Sequence, residues 1–257
     1  MESTARQKQV GIFSIPVLVA ALGYFVDIYD LLLFTIVREP SLQGIHVPDA
    51  EMVLASTKII NFQMVGLLIG GILWGVLGDK KGRLSVLFGS ILLYSVANFV
   101  TGFIQSVDQY AWARFVAGIG LAGELGAGIT LVSELLPKEK RGVGTSMVAG
   151  VGLSGAVVAY FTYKVSNDWR LCYMIGGGLG LGLLILRISV AESGMFHLAK
   201  ASKSARGNFL MFFNNKKRFR KYVLAILIGL PTWYVIGILV NLSNRFAGEL
   251  FGDKTLE

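Results

Sequence analysis

Seven apolar runs dominate this chain, each close to or above the roughly 20 residues that a helix needs to cross a bilayer. They cover about residues 11–37, 55–78, 84–106, 109–136, 142–163, 170–190 and 221–241. Charged residues make up only 16% of the 257 and mean hydropathy is +0.63, where average soluble domains carry about 25% charge. Backbone groups have no water to bond in lipid, so runs of this kind close their hydrogen bonds internally as helices. The expected fold class is therefore all-α: a polytopic helical bundle in a membrane. The first run is too long for a signal-peptide core and lacks a small-residue cleavage site.

The formal charge of +8 invites a nucleic-acid reading, but the placement of the cations argues for topology instead. With the N-terminus in the cytoplasm, seventeen Lys and Arg fall on that side, among them Lys80, Lys81, Arg83, Arg141, Arg187 and the run Lys216–Lys221. Six fall on the other side (Arg38, Lys58, Lys164, Arg170, Arg245, Lys254), and Arg114 alone lies inside a span. That asymmetry fixes the orientation expected of a bacterial-type inner membrane protein. The single Cys172 excludes a disulfide framework, and His46 and His197 each stand alone, so no histidine metal centre is visible. No nucleophile, base and orienting group occur together, so the chain is not read as an enzyme, and no cofactor or metal is expected.

Between the second and third runs lies Gly75-Val-Leu-Gly-Asp-Lys-Lys-Gly-Arg83. Lys80, Lys81 and Arg83 suit a headgroup region. Gly75 and Gly78 allow a helix end to approach a neighbour, and Asp79 is placed to face a helix N-terminus or a cation. The pattern G-x-x-x-D-K-x-G-R resembles the loop signature between the second and third helices of major facilitator superfamily transporters. Glu134-Leu-Leu-Pro137-Lys-Glu-Lys-Arg141-Gly142 resembles the P-x-x-x-R-G turn that repeats the theme after the fourth helix. Arg114 to Glu124, with Gly118, Gly120 and Gly123 between, is similar to the R-x-x-x-G-x-G motif of that helix. Asp27-Ile-Tyr-Asp30 resembles the D-x-Y-D stretch of metabolite and phosphate proton symporters, and Glu192-Ser193-Gly194-Met-Phe196 is a weaker echo of E-S-P-x-F, with Gly194 in place of proline. Gly150 to Gly155 lacks the Gly-Pro pair of drug antiporters.

The resemblance spans about residues 10 to 240 and implies a six-helix bundle of 3+3 inverted repeats over residues 1–190. A basic cytoplasmic loop over 191–220 and a seventh helix with its tail over 221–257 would follow. It further implies proton-coupled symport of a small, anionic metabolite by alternating access. Gly75, Gly78, Asp79, Gly82, Arg83, Pro137, Arg141, Gly142 and Glu192 would form the conformational motifs. The partners implied are the lipid bilayer, a proton, a small substrate and a complementary C-terminal half. That half could belong to the same gene product, to a split partner or to a second copy, and truncation is the expected reason for the short length. The competing reading is a half-bundle that transports nothing and serves as a membrane scaffold or sensor.

The intramembrane charges can be read without the family. A charge in the bilayer costs a few kcal/mol even on lenient scales, so such residues face a protein interior or a wet cavity. Asp27 and Asp30 are three apart and share one helix face. Taking spans outward and inward in turn, at a rise of about 1.5 Å per residue, Asp30 and Arg114 lie on the same outer side of the midplane. They are expected to pair. Asp27 and Glu124 lie nearer the midplane and are the expected proton carriers, since burial and a like-charged neighbour both favour a protonated carboxyl.

Other residues read mainly as scaffold. The 32 glycines suit close helix contact in lipid, and the Gly120 to Gly182 clusters follow no strand, which rejects a dinucleotide fingerprint. Trp74, Trp112, Trp169, Trp233, Tyr94 and Tyr110 are expected in an interfacial belt. Asn98 is expected to hydrogen-bond between helices. Asn61 and Gln63 could do the same or line a cavity.

Overall fold

Each apolar run within the described residues is helical, and several helices outrun the apolar stretch that specified them. The computed structural model describes residues 11–187, 211 and 213–235. Six helices follow one another in the first unit, Met1–Gly207: α1 (Ile15–Gly44), α2 (Met52–Lys81), α3 (Arg83–Thr101), α4 (Val107–Leu135), α5 (Lys138–Ser166) and α6 (Trp169–Arg187). No strand occurs among the described residues. Five of these helices, all but α3, are long and apolar enough to cross a membrane, and α3 holds a shorter apolar stretch over Ser85–Thr101.

The connections are tight and chemically specified. One residue, Gly82, separates α2 from α3 at φ 104°. It donates its N–H to the Gly78 carbonyl at 3.1 Å, in a backbone region that side chains rarely tolerate. Ser106 caps α4 by accepting from the Gln109 N–H at 3.3 Å. Pro137 precedes the first turn of α5, and Asn167 ends it in the left-handed conformation.

Packing follows the glycines. α2 lies against α4, and a Cβ at Gly66 or Gly70 would strike the backbone of Phe115 or Ile119. From the α4 side, Gly118 meets the Gln63 carbonyl, and Gly155 of α5 meets the Phe25 carbonyl of α1. Close backbone approach of this kind drives helix association where lipid removes the hydrophobic incentive. Gly71, Gly75, Gly126, Gly178 and Gly182 face open space instead. For Gly75 this corrects the expected close approach: it lies on an unpacked face of α2, while Gly78 is buried.

The aromatic residues also depart from expectation. Tyr94, Tyr110 and Trp169 are buried, not interfacial. Tyr110 and Tyr173 share a hydrogen bond at 2.7 Å, and Tyr110 stacks with Trp169 and packs edge-on against Phe34. Position near a span end gave depth but not the helix face. Trp112 is exposed, and Trp74 is partly buried, its indole donating to the Ile119 carbonyl at 2.6 Å. Trp233 lies outside the described side chains. Leu54, Leu68, Val157 and Phe161 sit exposed on α2 and α5, as suits a lipid-facing surface.

In the second unit, Asn208–Glu257, α7 (Lys216–Tyr234) begins with the basic run itself. Lys216 to Lys221 thus occupy helical turns, and the Asn215 side chain accepts from the Lys217 and Arg218 N–H groups at 2.9 and 3.3 Å.

Candidate functional site

Asp30 sits mid-way along α1 and is fully buried, which in an apolar interior demands a cation. Arg114 of α4 supplies it. Its Nη1 donates to Asp30 Oδ1 at 3.0 Å and its Nη2 to Oδ2 at 2.7 Å, the two-pronged geometry that suits guanidinium and carboxylate. Two amides complete the cradle: Asn98 Oδ1 accepts from Nη1 at 3.0 Å and Gln63 Oε1 from Nε at 3.4 Å. The Tyr173 ring lies 5.4 Å from the guanidinium carbon. Five helices (α1, α2, α3, α6 and α4 itself) therefore converge on one cation. The pair expected from depth is present, and both Asn98 and Gln63 bond between helices. Asn61 is exposed.

A second buried pair was not foreseen. Glu124, 3% exposed, is gripped by Arg187 of α6, 1% exposed. Arg187 Nη1 donates to Glu124 Oε1 at 2.7 Å while Nη2 donates to Oε2. Nη1 also reaches the Leu87 carbonyl at 2.7 Å, and Ser90 Oγ donates to Glu124 Oε1 at 2.9 Å. The charge count along the sequence places Arg187 among the cytoplasmic loop cations. The structure corrects this: it is an interior residue at the end of α6, so Arg114 is not alone inside a span. The signal was available in register. Glu124 and Arg187 lie almost equally far, in residues, from the starts of α4 and α6, two helices that run the same way in an up-and-down series. Arg38, counted as an outer-loop cation, is likewise buried within α1, 3.8 Å from Glu39.

Asp27 differs from both pairs. It is 7% exposed, and neither carboxyl oxygen has a hydrogen-bond partner among the described residues. The charges that bear on it are Glu124, Arg187 and Asp30. A buried, unbonded carboxylate is among the most costly groups a protein can hold, and a bound proton removes most of that cost. Asp27 and Glu124 are thus brought close, as expected, but in unequal states: Glu124 has a cation and Asp27 does not. Gly23, one turn before Asp27, packs directly under the Glu124–Arg187 pair, and any Cβ there would meet Arg187 Nη2 and Glu124 Oε2. The cluster as a whole sets three carboxyls (Asp27, Asp30, Glu124) against two guanidiniums (Arg114, Arg187).

The turn motifs are at the helix ends. Asp79 is exposed near the end of α2, and Arg83 opens α3. Arg141 Nε donates to the Leu136 carbonyl at 3.1 Å, fastening the α4–α5 turn beside Pro137. A Cβ added at Gly142 would meet nothing within 4 Å, and its carbonyl accepts from Thr145 Oγ1 at 3.0 Å. Glu192 lies outside the described residues. No cluster of three or more His, Cys, Asp or Glu suited to a metal occurs among the described residues.

Comparison with known proteins agrees with this architecture. Relatives include a putative metabolite transport protein of Haemophilus influenzae, 29% identical over 242 residues that make up 90% of this chain and 58% of that protein. Another is the niacin transporter NiaP of Acinetobacter baylyi, 29% identical over 68% of this chain and 40% of that protein. The xylose transporter XylE from E. coli, in its inward open conformation, superposes with a TM-score of 0.65 at 20% identity, over 86% of this chain and 56% of that one. The chain spans about half the length of the curated relatives it matches. These relatives are transporters, not enzymes. Residues 11–255 match the sequence profile of the Major Facilitator Superfamily, and the chain is an integral membrane protein belonging to that family.

Proposed function

We propose that this chain forms the N-terminal six-helix half of a secondary active transporter that couples proton movement to the passage of a small metabolite by alternating access. The observation that carries the reading is Asp27: buried, unbonded and flanked by a second carboxyl. A residue that is costly as an anion and cheap as an acid takes up a proton when sealed and gives it up when wetted. Named relatives that move a metabolite, niacin and xylose support a small polar substrate. The second six-helix half would come from the same gene product, a split partner or a second copy, with the substrate held between the halves near the midplane. Removing Arg187 from the cytoplasmic count and Arg38 from the outer one leaves the cation asymmetry intact, which supports an N-terminus in the cytoplasm of a bacterial-type inner membrane.

The competing reading is a scaffold or sensor that moves nothing. Proteoliposomes containing the protein together with its second half, and an internal pH dye, separate the two. Organic acids, sugars and phosphate are added in turn. Substrate-dependent proton movement that disappears in Asp27→Asn is the expected result. Uptake that persists unaltered when the proton gradient is collapsed, or no response to any compound, contradicts proton-coupled transport.

A further inference from the structure

Among the described residues, Arg187 leaves one hydrogen-bonding group unused: its Nε–H has no partner. The neighbouring carboxyl, Asp27, leaves two acceptors unused. An orphan donor on a buried cation and orphan acceptors on a buried acid belong to one cluster, because Gly23, directly beneath the guanidinium, is one helical turn from Asp27 on the same face of α1. Unpaired buried polar atoms are rare in folded proteins and call for a reason. Here each has the complement of what the other lacks.

Resting on the reading of Asp27 as a proton site, we propose that Arg187 is a counter-ion shared between Glu124 and Asp27. In the state described here it serves Glu124, and Asp27 carries the proton. When that proton leaves, Arg187 turns its free edge to Asp27, and the two carboxylates divide one cation between them. The second station of the site therefore holds two acids and one base, so neutrality requires one bound proton. The first station, Asp30 with Arg114, is neutral by itself. Gly23 is the residue that gives the guanidinium room to pivot. Around Asp27 the ionisable groups are Tyr24 and Asp30 from α1, Tyr94 from α3, Glu124 from α4 and Arg187 from α6. Only Arg187 among them is a cation next to Asp27. Its role is one of positioning and charge: it carries no proton and touches no substrate.

The test reads proton binding directly, without transport. The protein is placed in lipid films, and the infrared band of the protonated carboxyl is followed against pH in the parent, Asp27→Asn, Glu124→Gln and Glu124→Gln/Arg187→Gln. In Glu124→Gln the cation is released to Asp27, which should bind its proton about tenfold more weakly than in the parent, a midpoint about one pH unit lower. Adding Arg187→Gln should reverse this and bring the midpoint back up toward that of the parent. Adding Arg187→Lys in place of Gln keeps the charge and should restore most of the Glu124→Gln behaviour. If the midpoint is unchanged by adding Arg187→Gln, Arg187 does not reach Asp27 and the proposal falls. If Asp27→Asn removes no band at all, the proton-site reading falls instead, so the two failures are distinct. Gly23→Ala supplies a second check, since it crowds the pivot without altering charge: a parental midpoint there argues against movement of the guanidinium.

Discussion

Asp30 and Arg114 meet through two hydrogen bonds, of 3.0 and 2.7 Å, where both residues are fully buried. Breaking such a pair from one side strands the other charge, whereas neutralising both removes two desolvation costs together. Arg114→Ala and Asp30→Ala should each lower stability by about 3–5 kcal/mol. The double variant Asp30→Asn/Arg114→Gln should lose much less than the sum of the two. Thermal unfolding of the detergent-solubilised protein, followed by tryptophan fluorescence, measures all three.

Asp27 should show the opposite sign. Its unbonded oxygens contribute nothing to cohesion, so Asp27→Leu should stabilise the fold by about 1–3 kcal/mol, the cost of an unsatisfied buried polar group. The same substitution should abolish proton movement. A higher unfolding temperature together with lost proton flux is the signature of a functional group that strains its surroundings. A marked loss of stability would mean that Asp27 has a partner in the folded state.

Two glycines on α2 should separate cleanly. Gly66 lies against the Phe115 carbonyl, and Gly75 faces open space. Gly66→Ala must push α2 away from α4 and should cost about 1–3 kcal/mol. Gly75→Ala should be neutral within about 0.5 kcal/mol, as expected for a site away from such features. Unfolding midpoints of the two variants decide it.

Gly82 should be intolerant for a backbone reason. At φ 104° and ψ 157° it occupies a region open almost only to glycine. Gly82→Ala should therefore cost about 1–3 kcal/mol although the turn lies at a helix end. Protease accessibility of the α2–α3 turn should rise in parallel.

Much of this arrangement was legible in the chain itself, and the exceptions share a cause. Asp30 and Arg114 stand so deep in apolar runs that no reading other than pairing is cheap, and counting residues from the span midpoints sufficed to match them. Arg187 stands at the boundary of its run, where a cation suits the headgroups equally well. Only its register with Glu124 distinguishes the two cases. Tyr94, Tyr110 and Trp169 were assigned by depth alone, but depth does not reveal azimuth, and these side chains turn toward the bundle. The apolar runs end short of α1, α2 and α5 because hydrogen bonding continues past the last apolar residue, which is how α1 comes to include Arg38 and Pro40, whereas α3 stops at Thr101 inside its run.

Gly155 brings the backbone of α5 against that of α1 at Phe25, between Gly23 and Asp27. With one flank held this tightly, α1 behaves as a stiff spindle whose opposite flank carries both acidic stations within a single turn. Any tilt of the spindle about that bearing must displace Asp27 and Asp30 together, one against Arg187 and the other against Arg114. A rigid tilt of α1 would therefore move both stations at once, whereas a turn of the Arg187 side chain would move only the second.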